Sequence, residues 1–268
     1  PMTARPARWA TAAIVAAALL PSSARAESLN LTTPGSMVTA NGGLFYQANP
    51  QPTGTGYIDP FVRIQRTGTE RGYNTDGQIE FDTKDTNNWT RSLPLNTLQT
   101  VTIGGTQYFQ FLLDINESAN DTARLISLNE VQIYLGDAPD LTGFKDDVGF
   151  SGHSKSIYDL DGAGDKTIEL DYKLNSGSGS GDMYMYIKAS LFSGYASKYQ
   201  YVYLYSAFGM PNGSNAGFEE WAALKSGTGG GGGGGGGGAV PAPPGVVLAG
   251  VGFGCMLLGR LRRKAPRA

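Results

Sequence analysis

From Glu27 to Ser226 the chain carries no sustained 3.6-residue amphipathic pattern; short β-branched and aromatic runs alternate with Gly, Asn, Asp and Pro. A chain patterned this way does not supply helices with one apolar stripe, but it does supply strands with one buried face. Candidate strands are Gly43 to Gln47, Tyr57 to Gln65, Gln78 to Phe81, Gln99 to Ile103, Tyr108 to Ile115 and Glu130 to Leu135. Further candidates are Ser156 to Leu160, Thr167 to Lys173, Met183 to Ile187, Tyr199 to Ser206 and Gly217 to Ala222. The pairs Asn41-Gly42, Asp76-Gly77, Gly104-Gly105 and Asp161-Gly162 supply positive φ where hairpins need it. The fold class expected is all-β, a two-sheet antiparallel sandwich of jelly-roll or Greek-key type. No repeat period suggests a solenoid.

Charge is distributed unevenly. All 23 acidic residues lie between Glu27 and Glu220, whereas three of the 21 basic ones precede residue 27 and five follow residue 259. The central segment therefore carries 13 basic against 23 acidic side chains, a formal −10, although the whole 268-residue chain is only −2. That sign disfavours nucleic acid and anionic membrane as partners of the body. The single cysteine, Cys255, lies near the C-terminus, so the body has no disulfide framework and depends on its core.

Both ends read as processing signals. Arg5 and Arg8 precede the apolar stretch Trp9 to Leu20, and Ala24-Arg25-Ala26 is a small-x-small site, so residues 1–26 are expected to be a signal peptide, with its signal helix, removed by signal peptidase. An N-terminal anchor is the alternative, but about twelve apolar residues do not span ~30 Å of hydrocarbon. After the body (27–226) comes a poly-Gly linker (227–239), including the unbroken run Gly229 to Gly238. The segment Val240-Pro241-Ala242-Pro243-Pro244-Gly245 follows, then the apolar run Val246 to Leu258, then Arg260, Arg262, Arg263 and Lys264. The prolines favour an extended, protease-readable stretch, a transmembrane helix is expected over 245–259, and the basic cluster would hold the C-terminus on the cytoplasmic side.

This tail, residues 240–268, resembles the PEP-CTERM sorting signal in its Val-Pro-Ala-Pro-Pro-Gly variant, with Ala242 where the commoner motif has Glu. The resemblance implies a membrane processing protease of the exosortase class as partner. It also implies export by way of the inner membrane to the cell surface or extracellular space. A permanent single-pass anchor is the alternative, and Cys255 is read as a packing residue of the tail helix. The blocks Gly72-Tyr73-Asn74-Thr75-Asp76-Gly77, Phe111 to Glu117, Leu174 to Asp182 and Gly217-Phe218-Glu219-Glu220-Trp221 resemble a group of exported bacterial proteins that often carry such tails. That group brings no catalytic residues to carry across.

Within the body several constellations invite a chemical reading. His153 is the only histidine, and Gly149-Phe150-Ser151-Gly152-His153-Ser154 reads as a loop without a nucleophile elbow. One His without a body Cys also lacks the usual zinc ligands. Glu219 and Glu220, flanked by Phe218 and Trp221, are an acid pair a glycosidase would use, but adjacent strand residues point to opposite faces. Asp159, Asp161 and Asp165 place three hard oxygen ligands on one loop, a candidate calcium site to which Asp182 would add if the fold brought it near. The alternative is a solvated turn in which Asp bonds its own backbone. Ser176 to Gly181 lacks the Lys and helix of a phosphate loop. Tyr199, Tyr201, Tyr203 and Tyr205 would share one strand face, a candidate glycan platform for a surface polysaccharide; alternatively they line a partly exposed sheet and pair with Tyr184 and Tyr186. The expected function is a non-catalytic cell-surface or extracellular-matrix protein needing no cofactor, with a carbohydrate-binding module as the alternative and a secreted glycoside hydrolase as the third reading.

Overall fold

The computed structural model describes residues 26–48, 60–84, 89–177, 181–215 and 217–224. The segments expected from the sequence to be a signal peptide, a poly-Gly linker and a sorting tail with a transmembrane helix lie outside these residues, except for Ala26. Among the described residues no helix is long and apolar enough to cross a membrane.

In chain order the strands are β1 (Glu27–Asn30), β2 (Met37–Ala40), β3 (Gly43–Gln47), β4 (Pro60–Ile64), β5 (Thr67–Gly68), β6 (Glu70–Tyr73), β7 (Leu93–Pro94) and β8 (Thr100–Ile103). They continue as β9 (Thr106–Asp114), β10 (Leu125–Gly136), β11 (Ser154–Asp159), β12 (Lys166–Asp171), β13 (Met183–Lys188), β14 (Tyr201–Phe208), β15 (Ser214–Asn215) and β16 (Glu219–Ala223). One α-helical turn, α1 (Ser190–Ser193), is described.

The strands form two seven-stranded sheets. The first runs β1-β12-β10-β14-β6, with β11 also on β10 and β7 also on β14; the second runs β2-β3-β13-β9-β16-β4, with β8 on β9. A two-stranded ribbon, β15-β5, stands apart. The alternation seen in the sequence explains the layering. Val202, Leu204 and Phe208 of β14 belong to one apolar cluster with Phe45, Phe111 and Trp221 of the second sheet, so the inner faces of both sheets make a common core. The long strand β10 organises the first sheet: its start pairs with β12, its end with β11, and Leu128 to Gly136 with β14.

The mostly antiparallel expectation holds with one exception, since β1 lies parallel to β12. The hairpin turns behave as expected at two sites. Asn41 and Gly42, between β2 and β3, have φ of 43° and 82°, and Gly104 and Gly105, between β8 and β9, have 56° and 80°. Both are the double positive φ of a type I′ turn. Gly77 does not adopt positive φ; a Cβ there would lie 2.4 Å from the Asp140 carbonyl oxygen, so close backbone approach is what requires glycine.

Gln78 to Phe81 is not a strand. Phe81 has φ of 57° in a turn, and its ring lies over the Arg71 guanidinium at 4.4 Å. Of the stretch Tyr57 to Gln65, strand structure occupies Pro60–Ile64, and residues 57–59 lie outside the described ones.

Candidate functional site

The tyrosine strand is the first candidate to be altered by tertiary structure. Tyr199 precedes β14 and packs against the main core, so it does not share a face with the others. Tyr203 and Tyr205 do point away from that core, but each is only 1 % exposed. A second aromatic cluster covers them: Phe144 stacks on Tyr205 at 4.5 Å, and Phe150 lies 4.6 Å from Tyr203. The loop that delivers Phe144 and Phe150 joins β10 to β11, and Tyr203 anchors it by donating to the Ala138 carbonyl and accepting from the Leu141 amide. Burial pushes the Tyr203 and Tyr205 hydroxyls above their ordinary range. Four tyrosines therefore do not form an open platform. Tyr184 and Tyr186, on β13 of the second sheet, pair with each other at 6.0 Å rather than with this strand.

Tyr201 remains half-exposed. With Pro94, Leu95, Asn96, Ala196 and Gln200 it lines an open groove of about 320 Å³. Pairing of Tyr201 with Pro94 between β14 and β7 sets its floor, and a hydrogen bond from the Leu95 amide to the Gln200 carbonyl, 2.8 Å, holds the next turn. An aromatic ring, two carboxamides and short apolar walls are what the groove presents to solvent. None of its flanking residues except Tyr201 was singled out in the sequence, because β7 and β14 are joined only by folding.

Two of the aspartate loop's carboxylates, those of Asp159 and Asp161, bond the loop's own backbone. Asp159 accepts from the Asp161 amide at 2.7 Å, and Asp161 accepts from the Lys166 amide at 2.8 Å. The Lys166 ammonium donates to the Gly164 carbonyl at 3.0 Å, occupying an oxygen a cation would want. Asp165 contributes its carbonyl to the Glu27 amide. Burial, reinforced by Asp165 and Asp159, holds the Asp161 carboxyl up at about 6. Nearby, Glu130 is pushed up to about 7 by burial and by the charges of Asp146, Asp147, Asp161 and Asp159. Asp182 is elsewhere: it accepts from the Ile115 amide, and its carboxylate neighbours are Asp114 and Asp171. Among the described residues no group of three His, Cys, Asp or Glu side chains stands as a ready-made metal centre.

His153 is exposed on the turn before β11, with Nδ1 3.1 Å from Asp137. The adjacent acids separate as strand geometry requires. Glu220 turns outward to Arg63, whose Nη2 is 2.5 Å away and whose guanidinium lies 4.0 Å from the centres of both the Trp89 and Phe218 rings. Glu219 turns inward, is fully buried, and faces Glu70 and Glu117. No pattern in the sequence connects these three acids, which come from β6, from the segment after β9 and from β16.

Comparison with protein-family models, with curated proteins and with solved structures finds no match to this chain. The functional reading therefore rests on residues and geometry alone.

Proposed function

We propose that this chain is an exported, non-catalytic protein of the cell surface or extracellular matrix. Its body, a sandwich of jelly-roll type, is delivered through the signal peptide and handed to an exosortase-type protease by the tail that begins at Val240. The observation that carries the non-catalytic reading is how the body spends its acids. Glu219 is sealed from solvent between the sheets, and Glu220 is neutralised by Arg63. Neither is placed to flank a glycosidic bond, which needs two carboxyl groups about 5–10 Å apart on opposite sides of an accessible cleft. The acidic surplus of the body suits a soluble exported domain.

The test is intact mass and cell fractionation of the protein made in a bacterium that carries its own sorting machinery. The expected result is a body cleaved after Ala26 and near Pro241 to Pro244, found at the surface or in the medium. A full tail retained in the inner membrane would replace sorting with permanent anchoring.

The groove at Tyr201 favours a second reading, a carbohydrate-binding module. An aromatic face beside the Asn96 and Gln200 carboxamides offers apolar contact and both donors and acceptors to hydroxyl groups. On a glycan array, Tyr201→Ala is expected to weaken any signal roughly tenfold, about 1.4 kcal/mol, without lowering the melting temperature by more than a few degrees. An unchanged signal removes the groove from consideration. Tyr203→Ala is unsuitable as a probe because it empties the buried aromatic cluster.

A further inference from the structure

Glu219 is the inward-facing acid of β16, and two further carboxyl groups meet it in the interior. Glu70 belongs to β6 of the other sheet and Glu117 to the segment just after β9. The three are 0 %, 2 % and 6 % exposed, and Glu219 hydrogen-bonds to both of the others. The Arg66 amide donates to Glu70 Oε2 at 2.6 Å, and the Asn215 amide donates to Glu117 Oε2 at 2.9 Å. The Ser214 hydroxyl, itself buried, is also hydrogen-bonded to Glu117. Because Ser214 and Asn215 form β15, which pairs with β5, the acids are tied to the two-stranded ribbon as well.

An ionised carboxylate only accepts, so a hydrogen bond between two carboxyl groups needs a proton on one of them. One O–H on Glu219 serves one neighbour, and the second bond takes a second proton. Two protons among three acids leave one negative charge. Glu117 is the acid equipped to carry it, because a backbone amide and a hydroxyl support it besides Glu219. The protons then lie on Glu219, donating to Glu117, and on Glu70, donating to Glu219. The nearby guanidinium groups are engaged elsewhere: Arg66 reaches Asp82 at 3.5 Å, and Arg63 holds Glu220. Full ionisation would put three negative charges in the interior, which protons avoid.

We propose that Glu70, Glu219 and Glu117 form a proton-sharing latch that joins the two sheets and the ribbon, and that ionisation in alkaline solution opens it. Burial, the largest cause at all three acids, pushes Glu219 well above the ordinary carboxylate range and raises Glu70 and Glu117 too. Asp82 adds a further negative charge against Glu70, whereas β15 contributes Ser214 and the Asn215 amide, both neutral. In the unfolded chain the same glutamates ionise at about pH 4.3, so above that pH folding takes up protons. The contribution of the latch is therefore complete below the unfolded range and is lost as pH rises through the range of the folded set.

The test is urea unfolding of the full chain, followed by circular dichroism at several pH values between about 6 and 8. The unfolding constant of the unaltered chain should rise with pH. In Glu219→Gln, whose amide keeps both hydrogen bonds with one proton fewer, the rise should be shallower by about tenfold per pH unit. Glu117→Gln also removes one proton and gives the same reading should the first variant fold poorly. Equal slopes in the unaltered chain and both variants overturn the proposal, because the folded acids then hold no shared protons. Hydrogen exchange, corrected for the intrinsic rate, reports the opening itself. The Arg66 and Asn215 amides should lose protection with rising pH before the Leu204 amide of β14 does. Protection lost at all three together would overturn the latch, since the acids would then open only with the whole fold.

Discussion

Trp221→Ala should lower the melting temperature of the body by roughly 10–15 °C, a loss of about 3–5 kcal/mol. Trp221 is fully buried on β16, its ring fills the space between the sheets, and its Nε1 donates to Ser206 Oγ of β14 at 3.1 Å. Truncation removes the largest side chain of the core, and the space left is bounded by two hydrogen-bonded sheets that close over it only in part. It also leaves the Ser206 hydroxyl buried without this partner. Since a domain of this size is stable by only about 5–15 kcal/mol, one substitution would consume a large share of the total. Trp221→Phe should cost less, because the ring area is mostly retained while the inter-sheet hydrogen bond is lost. Thermal denaturation followed by circular dichroism checks both. A Trp221→Ala midpoint within 1–2 °C of the unaltered chain would contradict the packing described.

Asn74→Ala should have the second largest effect, about 2–5 kcal/mol, for a different reason. Pairing between β6 and β14 ends at Tyr73 opposite Tyr205, and pairing of β7 with β14 begins only at Leu93 opposite Val202. Between them Asn74, fully buried, behaves as a strand residue with its side chain. Nδ2 donates to the Val202 carbonyl at 2.8 Å and Oδ1 accepts from the Leu204 amide at 2.7 Å. Alanine leaves a buried N–H and a buried C=O of a central strand unpaired, and each orphan costs about 1–3 kcal/mol. Native-state hydrogen exchange gives a specific readout: the Leu204 amide should lose protection beyond the global loss of stability. Asn74→Asp keeps the acceptor but removes the donor and buries a charge, so at neutral pH it should be no better than alanine. Full protection of Leu204 in Asn74→Ala would mean that another group, such as water, takes over the bond.

Strand alternation and turn chemistry were enough to locate most of the β structure, because both act over a few residues. Val202 and Leu204 face the core as the period of two requires, and the Asn41-Gly42 and Gly104-Gly105 turns lie where double positive φ was expected. Glu219 and Glu220 diverge for the same local reason. Local pattern fails where a distant segment decides. Glu27–Asn30 is a short, mostly exposed strand that exists by pairing with Lys166–Asp171, and Phe81 sits in a turn because its ring belongs over Arg71 and beside Tyr205.

The sequence by itself determined the class of secondary structure, the hairpins and the inward side of each long strand, since each follows from backbone geometry and the spacing of apolar residues. Tertiary structure alone decided what covers the other side. Phe144 and Phe150 fold back over Tyr205 and Tyr203, turning an apparent platform into a second core, and leave only Tyr201 beside a groove. It also decided which acids meet. Glu70, Glu117 and Glu219 carry no shared spacing, and they meet only because β6 of one sheet, β16 of the other and the segment after β9 are brought together by folding. Periodicity describes one chain segment against its own axis, whereas a buried site is made from segments whose approach is governed by the packing of the whole core.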